Sequence, residues 1–243
     1  MKMQGTFIFV LLLVVMGCAS LPPPKTVSLT EKIRQDGSMG MQLAEKLDPL
    51  IKFKSDIEIN VFLRKTAAKL SATSEALKDS PVGVFTIVDK DKTWRNFAIP
   101  GNRLYISIGL LKKLEFENEL AATLALQLAH ILKRHAIQNF QAHPNEDIVF
   151  FGPSGIFTFH EDDYLLAIET AVSLMYNAGY DPRGMISVWN IYKQNINQSP
   201  FTAAALEIML DKTRESNADF SPLRNPVVRS LSLNNIKTRI NNL

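Results

Sequence analysis

Two histidines, His130 and His135, stand five residues apart in a long segment with helical periodicity, and imidazole is a common zinc ligand. On a straight helix, five residues correspond to about 140° of rotation, so the two rings cannot bind one ion together. A site built from His130 and Glu169 would have two ligands where zinc takes three or four. From these residues alone, we expect His130 to be a partly buried, hydrogen-bonded histidine.

The only cysteine in the chain, Cys18, follows a segment that is typical of a secretory signal peptide. Lys2 precedes the apolar run Phe7–Met16, which as a helix would measure roughly 15 Å, about half of a bilayer core. Gly17 stands directly before Cys18, and this arrangement resembles the lipobox of bacterial lipoproteins, whose cysteine is lipidated and becomes the new N-terminus. An ordinary signal peptide cut near Ala19, or a buried free thiol, would also fit these residues.

Lipidation of Cys18 would place the chain in the cell envelope, because each buried methylene of an acyl chain such as palmitate contributes about 0.8 kcal/mol to anchoring. The resemblance to Gram-negative lipoproteins favours the outer membrane, facing the periplasm, since Ala19 stands where an inner-membrane lipoprotein often carries Asp. We therefore divide the chain into a signal peptide (1–17), a lipidated, proline-rich tether (18–25) and one domain (26–243).

The composition is that of a folded protein, with 46% hydrophobic and 21% charged residues. The 27 basic and 24 acidic residues give a net charge of +3, and the sequence has no basic cluster with interleaved aromatic residues. Nucleic acid is therefore not an expected partner. A single cysteine also excludes an intrachain disulfide and any metal site with two thiolate ligands.

The spacing of apolar residues predicts an α+β domain, mainly helical, with a small β-sheet of about three strands. Helical spacing occurs over 28–51, 56–72, 116–140 and 162–177, and short segments typical of strands occur at 82–88, 95–99 and 103–108. Pro100-Gly101-Asn102 marks a turn between the last two strands. Gly179 is expected to end the helix that begins near residue 162.

Three passages together resemble a known family. They are residues 96–111 (NFAIPGNRLYISIGLL), 119–135 (ELAATLALQLAHILKRH) and 178–182 (AGYDP). In this order they are similar to the zinc metallopeptidases of the HtpX-like and CaaX-prenyl-protease-like group, peptidase family M48, and to its periplasmic BepA-like lipoprotein branch. The resemblance implies a gluzincin fold over nearly the whole chain that follows the tether.

In this family, a His-Glu-x-x-His motif supplies two zinc ligands and the general base, and a Glu on a later helix completes the site. The resemblance places Leu126, Gln127 and His130 at the three motif positions. Leucine has no lone pair, and glutamine cannot accept a proton near neutral pH. The later Glu-Ala-Asp triplet corresponds to Leu166-Ala167-Ile168, so we expect these apolar residues to form a small hydrophobic core in place of the site.

These substitutions predict a catalytically inactive member of the family, a pseudo-peptidase without a zinc cofactor, anchored in the cell envelope. Only His130 and Glu169 remain as candidate metal ligands. The expected role is to bind or scaffold an envelope protein or peptide, because a strand edge that docks extended peptides needs no metal. The alternatives are an active zinc-dependent metalloendopeptidase of envelope protein quality control with non-standard ligands, and an envelope protein with a purely structural role.

Overall fold

The computed structural model describes residues 27–89, 92–142 and 159–243, so the predicted signal peptide, Cys18 and the tether lie outside the described residues. The helices are α1 (Leu29–Leu47), α2 (Ile57–Ser71), α3 (Ile108–Lys113), α4 (Glu117–Leu132), α5 (His135–Ala142), α6 (Glu161–Asn177), α7 (Gly184–Gln194), α8 (Ala203–Ala218) and α9 (Leu231–Asn241), and the strands are β1 (Gly83–Ile87), β2 (Phe97–Ile99) and β3 (Arg103–Ser107). The expected α+β class, mainly helical with a small sheet, is confirmed.

The sheet has the order β1-β3-β2, in which β1 runs parallel and β2 antiparallel to the central strand β3. The predicted turn joins β2 to β3, and Gly101 and Asn102 both have positive φ angles there, 80° and 57°. These angles suit glycine and asparagine, which enter the left-handed region at little cost. The antiparallel register sets Phe97 opposite Tyr105.

The two faces of the sheet contribute to different hydrophobic clusters, as the alternation of side chains along a strand requires. Phe97, Ile99 and Tyr105 pack with Leu43 and Leu47 of α1. The intervening residues of β2 and β3 belong to the main core, together with the apolar residues of α2 and α4. The sheet is therefore enclosed between α1 on one side and the helical body on the other.

Helix α4 lies at the centre of the helical body. Every residue from Glu117 to Ile131 is buried, which is expected of a helix that packs against neighbours on all sides. Its first turn is held by the Glu119 carboxylate, which accepts the backbone N–H groups of Glu115 (2.7 Å) and Phe116 (3.0 Å). The sequence predicted one apolar face for this helix, whereas α2, α6 and α7 surround it.

The prediction of one continuous helix over 116–140 is wrong, because the chain breaks it after Leu132. Arg134 has a φ of 60°, in the left-handed region, which ends α4 and redirects the chain into α5. This conformation costs a non-glycine residue about 1–2 kcal/mol. The Arg134 guanidinium donates to both carboxylate oxygens of Asp36 on α1, at 2.6 and 2.8 Å, and this pair holds the break in place.

Candidate functional site

The residues at the motif positions lie in the interior, where α4 meets α6 and α7. Gln127 and Leu126 line a cavity of about 20 Å³, together with Tyr164 of α6 and Trp189 and Tyr192 of α7. A cavity of this size holds about one water molecule. The motif face of α4, which we define as Leu126, Gln127 and His130, is therefore closed to any ligand of substantial size.

Gln127 is buried, with 3% of its surface exposed, and its side-chain Oε1 has no hydrogen-bond partner among the described residues. A buried acceptor that is left unpaired costs about 1–3 kcal/mol. One water in the adjoining cavity would satisfy it. A carboxylate at this position would face the same apolar and aromatic walls without a cation beside it.

His130 is fully enclosed by aromatic rings and by the second histidine. Its ring stacks on Phe159, with centroids 4.1 Å apart and planes at 15°, and Tyr164 approaches it edge-on at 4.9 Å. Its Nδ1 lies 2.8 Å from Nδ1 of His135, within hydrogen-bond distance. Burial, followed by the charge of His135, holds the pKa of His130 well below its usual value of 6.5.

The separation of about 140° between His130 and His135 assumed a straight helix, and the chain does not form one there. The left-handed Arg134 starts a new helix at His135 and turns that ring back toward His130. Nε2 of His135 lies 3.6 Å from a carboxylate oxygen of Asp163. Burial lowers the pKa of His135, and the charge of Asp163 opposes this shift.

One ring of the pair donates to the other through the Nδ1–Nδ1 contact, so Nδ1 of His130 is engaged in either tautomer. Nε2 of His130 has no hydrogen-bond partner among the described residues. Nε2 is therefore the one nitrogen of His130 that remains for a ligand.

Part of the chain matches a known protein family. Residues 62–164 match the model of peptidase family M48. Over these residues the chain is a member of peptidase family M48. No curated protein matches the chain. The matched segment contains the whole sheet and α4, and it ends before Leu166, Ile168 and Glu169.

The expectation that the apolar replacements form one hydrophobic core is wrong for Leu166. Leu126 and Ile168 are buried, with 6% and 0% exposure, whereas Leu166 keeps 48% of its surface exposed. Leu166 lies on the solvent-facing stripe of α6, which also carries Asp162 and Glu169. The inner face of α6 presents Tyr164, which the sequence did not single out, to His130 and Gln127.

Glu169 does not join His130 in a site. Its carboxylate forms an ion pair with Lys212 of α8 at 2.5 Å, on the exposed side of α6. Within residues 27–89, 92–142 and 159–243, no group of three or more His, Cys, Asp or Glu side chains could hold a metal ion.

The residues present do not fit the zinc ion that family M48 peptidases use. At the motif face, His130 offers one nitrogen, Gln127 offers a neutral carbonyl oxygen, and Leu126 offers no donor. Zinc in proteins is bound by three or four nitrogen, sulfur or carboxylate ligands. The motif face therefore offers fewer donors than a zinc ion in a protein takes.

The sequence also predicted a strand edge at which an extended peptide could dock. Strand β2 does not offer such an edge. Its three residues are at most 2% exposed. The cavity beside it measures about 10 Å³ and is bounded by Asp36 of α1 and Ile137 of α5. At Gly40, a Cβ atom would lie 1.8 Å from the carbonyl oxygen of Pro100, so only glycine lets α1 approach this turn. An extended peptide cannot reach β2 unless α1 or α5 moves.

The outer side of β1 is covered at its C-terminal end. Lys54 donates its backbone N–H to the carbonyl of Thr86, and Val88 donates to the carbonyl of Lys52. The segment 52–54 therefore continues the sheet beyond β1.

None of the helices in the described part of the chain has the length and the apolar composition of a membrane-spanning segment.

Proposed function

We propose that this chain is a catalytically inactive member of peptidase family M48 that binds or scaffolds a partner in the cell envelope, where lipid on Cys18 anchors it. The observation that carries the proposal is the chemistry of the motif face. A leucine and a glutamine stand at the positions of a ligand and of the general base, and His130 is engaged by His135. The zinc-dependent metalloendopeptidase considered above is the outcome that would overturn it.

The packing of the motif face supports inactivity by a second route. A peptidase must admit a peptide bond beside its metal and a water molecule between them. Here the cavity beside Gln127 holds about 20 Å³, and His130 is covered by Phe159. Restoring the chemistry would therefore require both new donor atoms and an opening in the aromatic wall.

The experiment that tests inactivity measures zinc in the full chain, purified in detergent, by elemental mass spectrometry, with casein cleavage as the activity readout. We expect fewer than about 0.1 zinc ions per chain and no cleavage, because fewer than three donors remain. The triple variant Leu126→His, Gln127→Glu and Leu166→Glu supplies the donor types of the family, but we expect no zinc uptake by it either, because position 166 faces solvent on α6. One zinc per wild-type chain that is lost on His130→Ala would overturn the proposal.

The envelope role is supported by the signal-like N-terminus, in which a small residue and Cys18 follow the apolar run. Replacing Cys18 with Ser removes the thiol that would carry the lipid. We expect the wild-type chain in the outer-membrane fraction and the Cys18→Ser chain in a different fraction. Equal distribution of both chains after fractionation would show that Cys18 is not the anchor.

The binding role is tested by photo-crosslinking in the native envelope. A benzophenone amino acid at an exposed position, such as Arg183 (side chain 75% exposed), should yield discrete crosslinked species at reproducible masses. A chain with a purely structural role would yield none above background from any of several exposed positions. That result would remove the scaffold function and leave inactivity of the motif face untouched.

A further inference from the structure

A cleft outside the motif face combines open space with a buried, unpaired amide. It measures about 200 Å³ and lies where the ends of α6 and α8 meet the segment 220–226. Asn217, in the last turn of α8, lines this cleft. Both polar atoms of its side chain, Oδ1 and Nδ2, are buried and have no hydrogen-bond partner within the described part of the chain.

The unpaired amide indicates what kind of group would fit. An asparagine side chain presents one acceptor and one donor side by side. A peptide group of an extended chain presents the matching donor and acceptor, so the two can exchange a pair of hydrogen bonds. Each unpaired group costs about 1–3 kcal/mol, and a ligand that satisfies both at once recovers this free energy on binding.

The walls of the cleft are apolar and rigid. Tyr176 and Phe220 form a ring pair with centroids 4.7 Å apart, and the remaining apolar lining is Pro182, Pro222, Leu223 and Pro226. Proline has a fixed φ and no backbone donor, so these walls offer contact area without competing hydrogen bonds. Such a surface suits a large apolar side chain.

The charges at the rim neutralise each other. Arg183 donates through Nε and Nη2 to the Asp181 carboxylate, at distances from 2.5 to 3.0 Å. The cleft therefore presents no unpaired charge from these two residues and favours an uncharged segment. Its volume is below the 300–1,000 Å³ that is typical of pockets for whole small molecules, and it suits one anchored side chain with its peptide group.

The cleft is also held in shape from both sides. Val227 donates its backbone N–H to the carbonyl of Gly179 (2.8 Å), and Asp181 donates to the carbonyl of Val227 (3.2 Å). Gly179, with a φ of 77°, ends α6 as predicted and places this loop beside the segment that follows α8. Asn118 of α4 donates to the carbonyl of Asp181 at 3.2 Å. A preformed site loses less entropy when it binds.

We infer that this cleft binds an extended, uncharged segment of a partner protein, with one large apolar side chain against the Tyr176–Phe220 ring pair and its peptide group paired with the Asn217 amide, which turns toward the cleft on binding. This inference rests on the proposed binding role and names the surface that performs it. It does not depend on the motif face, because the cleft is formed by other residues.

The test uses the purified full chain and the probe N-acetyl-Ala-photoleucine-Ala-amide, a tripeptide with a photoreactive apolar side chain, followed by mass-spectrometric mapping. We expect labelling at Tyr176 and Phe220 that N-acetyl-Ala-Leu-Ala-amide suppresses. The same competitor N-methylated at leucine should suppress it at least fivefold less well, because it cannot donate to Oδ1 of Asn217. The variant Asn217→Leu, which lacks the donor and the acceptor, should reduce labelling at least fivefold.

Two controls keep the test decisive. Gln127→Leu removes a different buried amide with an unpaired oxygen and should leave labelling unchanged. Asn217→Asp keeps the side-chain shape and lacks the donor, so it should also reduce labelling if Asn217→Leu does not fold. Labelling that is spread over the surface, or equal in wild type and both Asn217 variants, would overturn the inference and leave water as the partner of the amide. Zinc binding and casein cleavage are measured on the same preparation. These two measurements test the proposed inactivity and the labelling tests the cleft, so one proposal can fail without the other.

Discussion

The motif face and the cleft both leave buried polar atoms without a hydrogen-bond partner among the described residues, and they differ in the space beside those atoms. At the motif face, Gln127 adjoins a cavity of about 20 Å³, and the cavity that His130 lines measures about 10 Å³. At the cleft, the Asn217 amide adjoins about 200 Å³. The first region can hold single water molecules, and the second can hold a side chain with its peptide group.

This difference shows which of the two regions has space to bind a ligand. The motif face retains the position of the family's chemistry, but Phe159, Tyr164 and His135 fill the space around it. The cleft has no family motif beyond the AGYDP passage on its rim, yet it has volume, rigid walls and an unpaired donor and acceptor. Resemblance locates the motif positions, whereas packing decides which surface a ligand can reach.

The largest effect is expected from a variant that tests whether the residues around the motif face are tightly packed. Ile168→Ala should lower the free energy of unfolding by about 3 kcal/mol, because it opens a cavity beside α4, whereas Leu166→Ala should lower it by less than about 0.5 kcal/mol. Urea denaturation followed by circular dichroism measures both. Similar losses for the two variants would mean that Leu166 also packs in the interior.

Substitutions of two glycines in α1 test whether this helix blocks access to β2. Gly40→Ala should lower the free energy of unfolding by about 2 kcal/mol, because its Cβ would meet the Pro100 carbonyl. Gly37→Ala is the matched control, since its Cβ would lie 3.8 Å from the Gly101 Cα, an ordinary contact. Alanine is the better helix former, so Gly37→Ala should add about 0.5–1 kcal/mol. A neutral Gly40→Ala would mean that α1 can move away from β2.

The same amide-to-carboxylate change should have different results in the two regions. Gln127→Glu buries a carboxylate without a cation, and at pH 7 we expect it to lower the free energy of unfolding by about 2 kcal/mol. Asn217 is a partly exposed residue that lines the larger cleft, so the carboxylate of Asn217→Asp can turn toward water and should lower the free energy of unfolding by less than about 1 kcal/mol. Burial raises the pKa of a carboxyl group, so the loss in Gln127→Glu should shrink as the pH falls. Zinc that raised the melting temperature of Gln127→Glu would contradict the absence of a metal-binding remnant.

A pH dependence is also expected from two buried histidines, His130 of the motif face and His135 beside it. The pKa values of His130 and His135 are both lowered in the folded state, so the unfolded chain binds more protons below pH 6.5. The free energy of unfolding should therefore be constant above pH 6.5 and fall below it, by up to about 1.4 kcal/mol per pH unit for each histidine. Urea denaturation at pH 7.5, 6.5 and 5.5 measures the slope. The variant His130→Leu should reduce the slope of the free energy of unfolding against pH, and Asn217→Leu should leave this slope unchanged. An unchanged slope in His130→Leu would mean that other groups cause the pH dependence.

Much of the fold was predictable because its signals are local. The apolar periods predicted α1, α2, α6 and the three strands within a few residues, since each element carries a local pattern of apolar residues. The turn at Gly101-Asn102 and the helix end at Gly179 were predictable because those residue types tolerate positive φ. The break at Arg134 was not, because arginine carries no signal for the left-handed region and the pair with Asp36 spans distant parts of the chain.

The candidate site divides in the same way. The sequence by itself determined which donor atoms exist: a leucine and a glutamine at two motif positions, and one histidine at the third. Only the tertiary structure decided how they are arranged, with His135 turned back onto His130, Tyr164 inside, Leu166 outside and Asn217 left unpaired in a cleft. The physical reason is that donor chemistry is a property of each side chain, whereas burial, pairing and free volume depend on contacts between residues far apart in the chain.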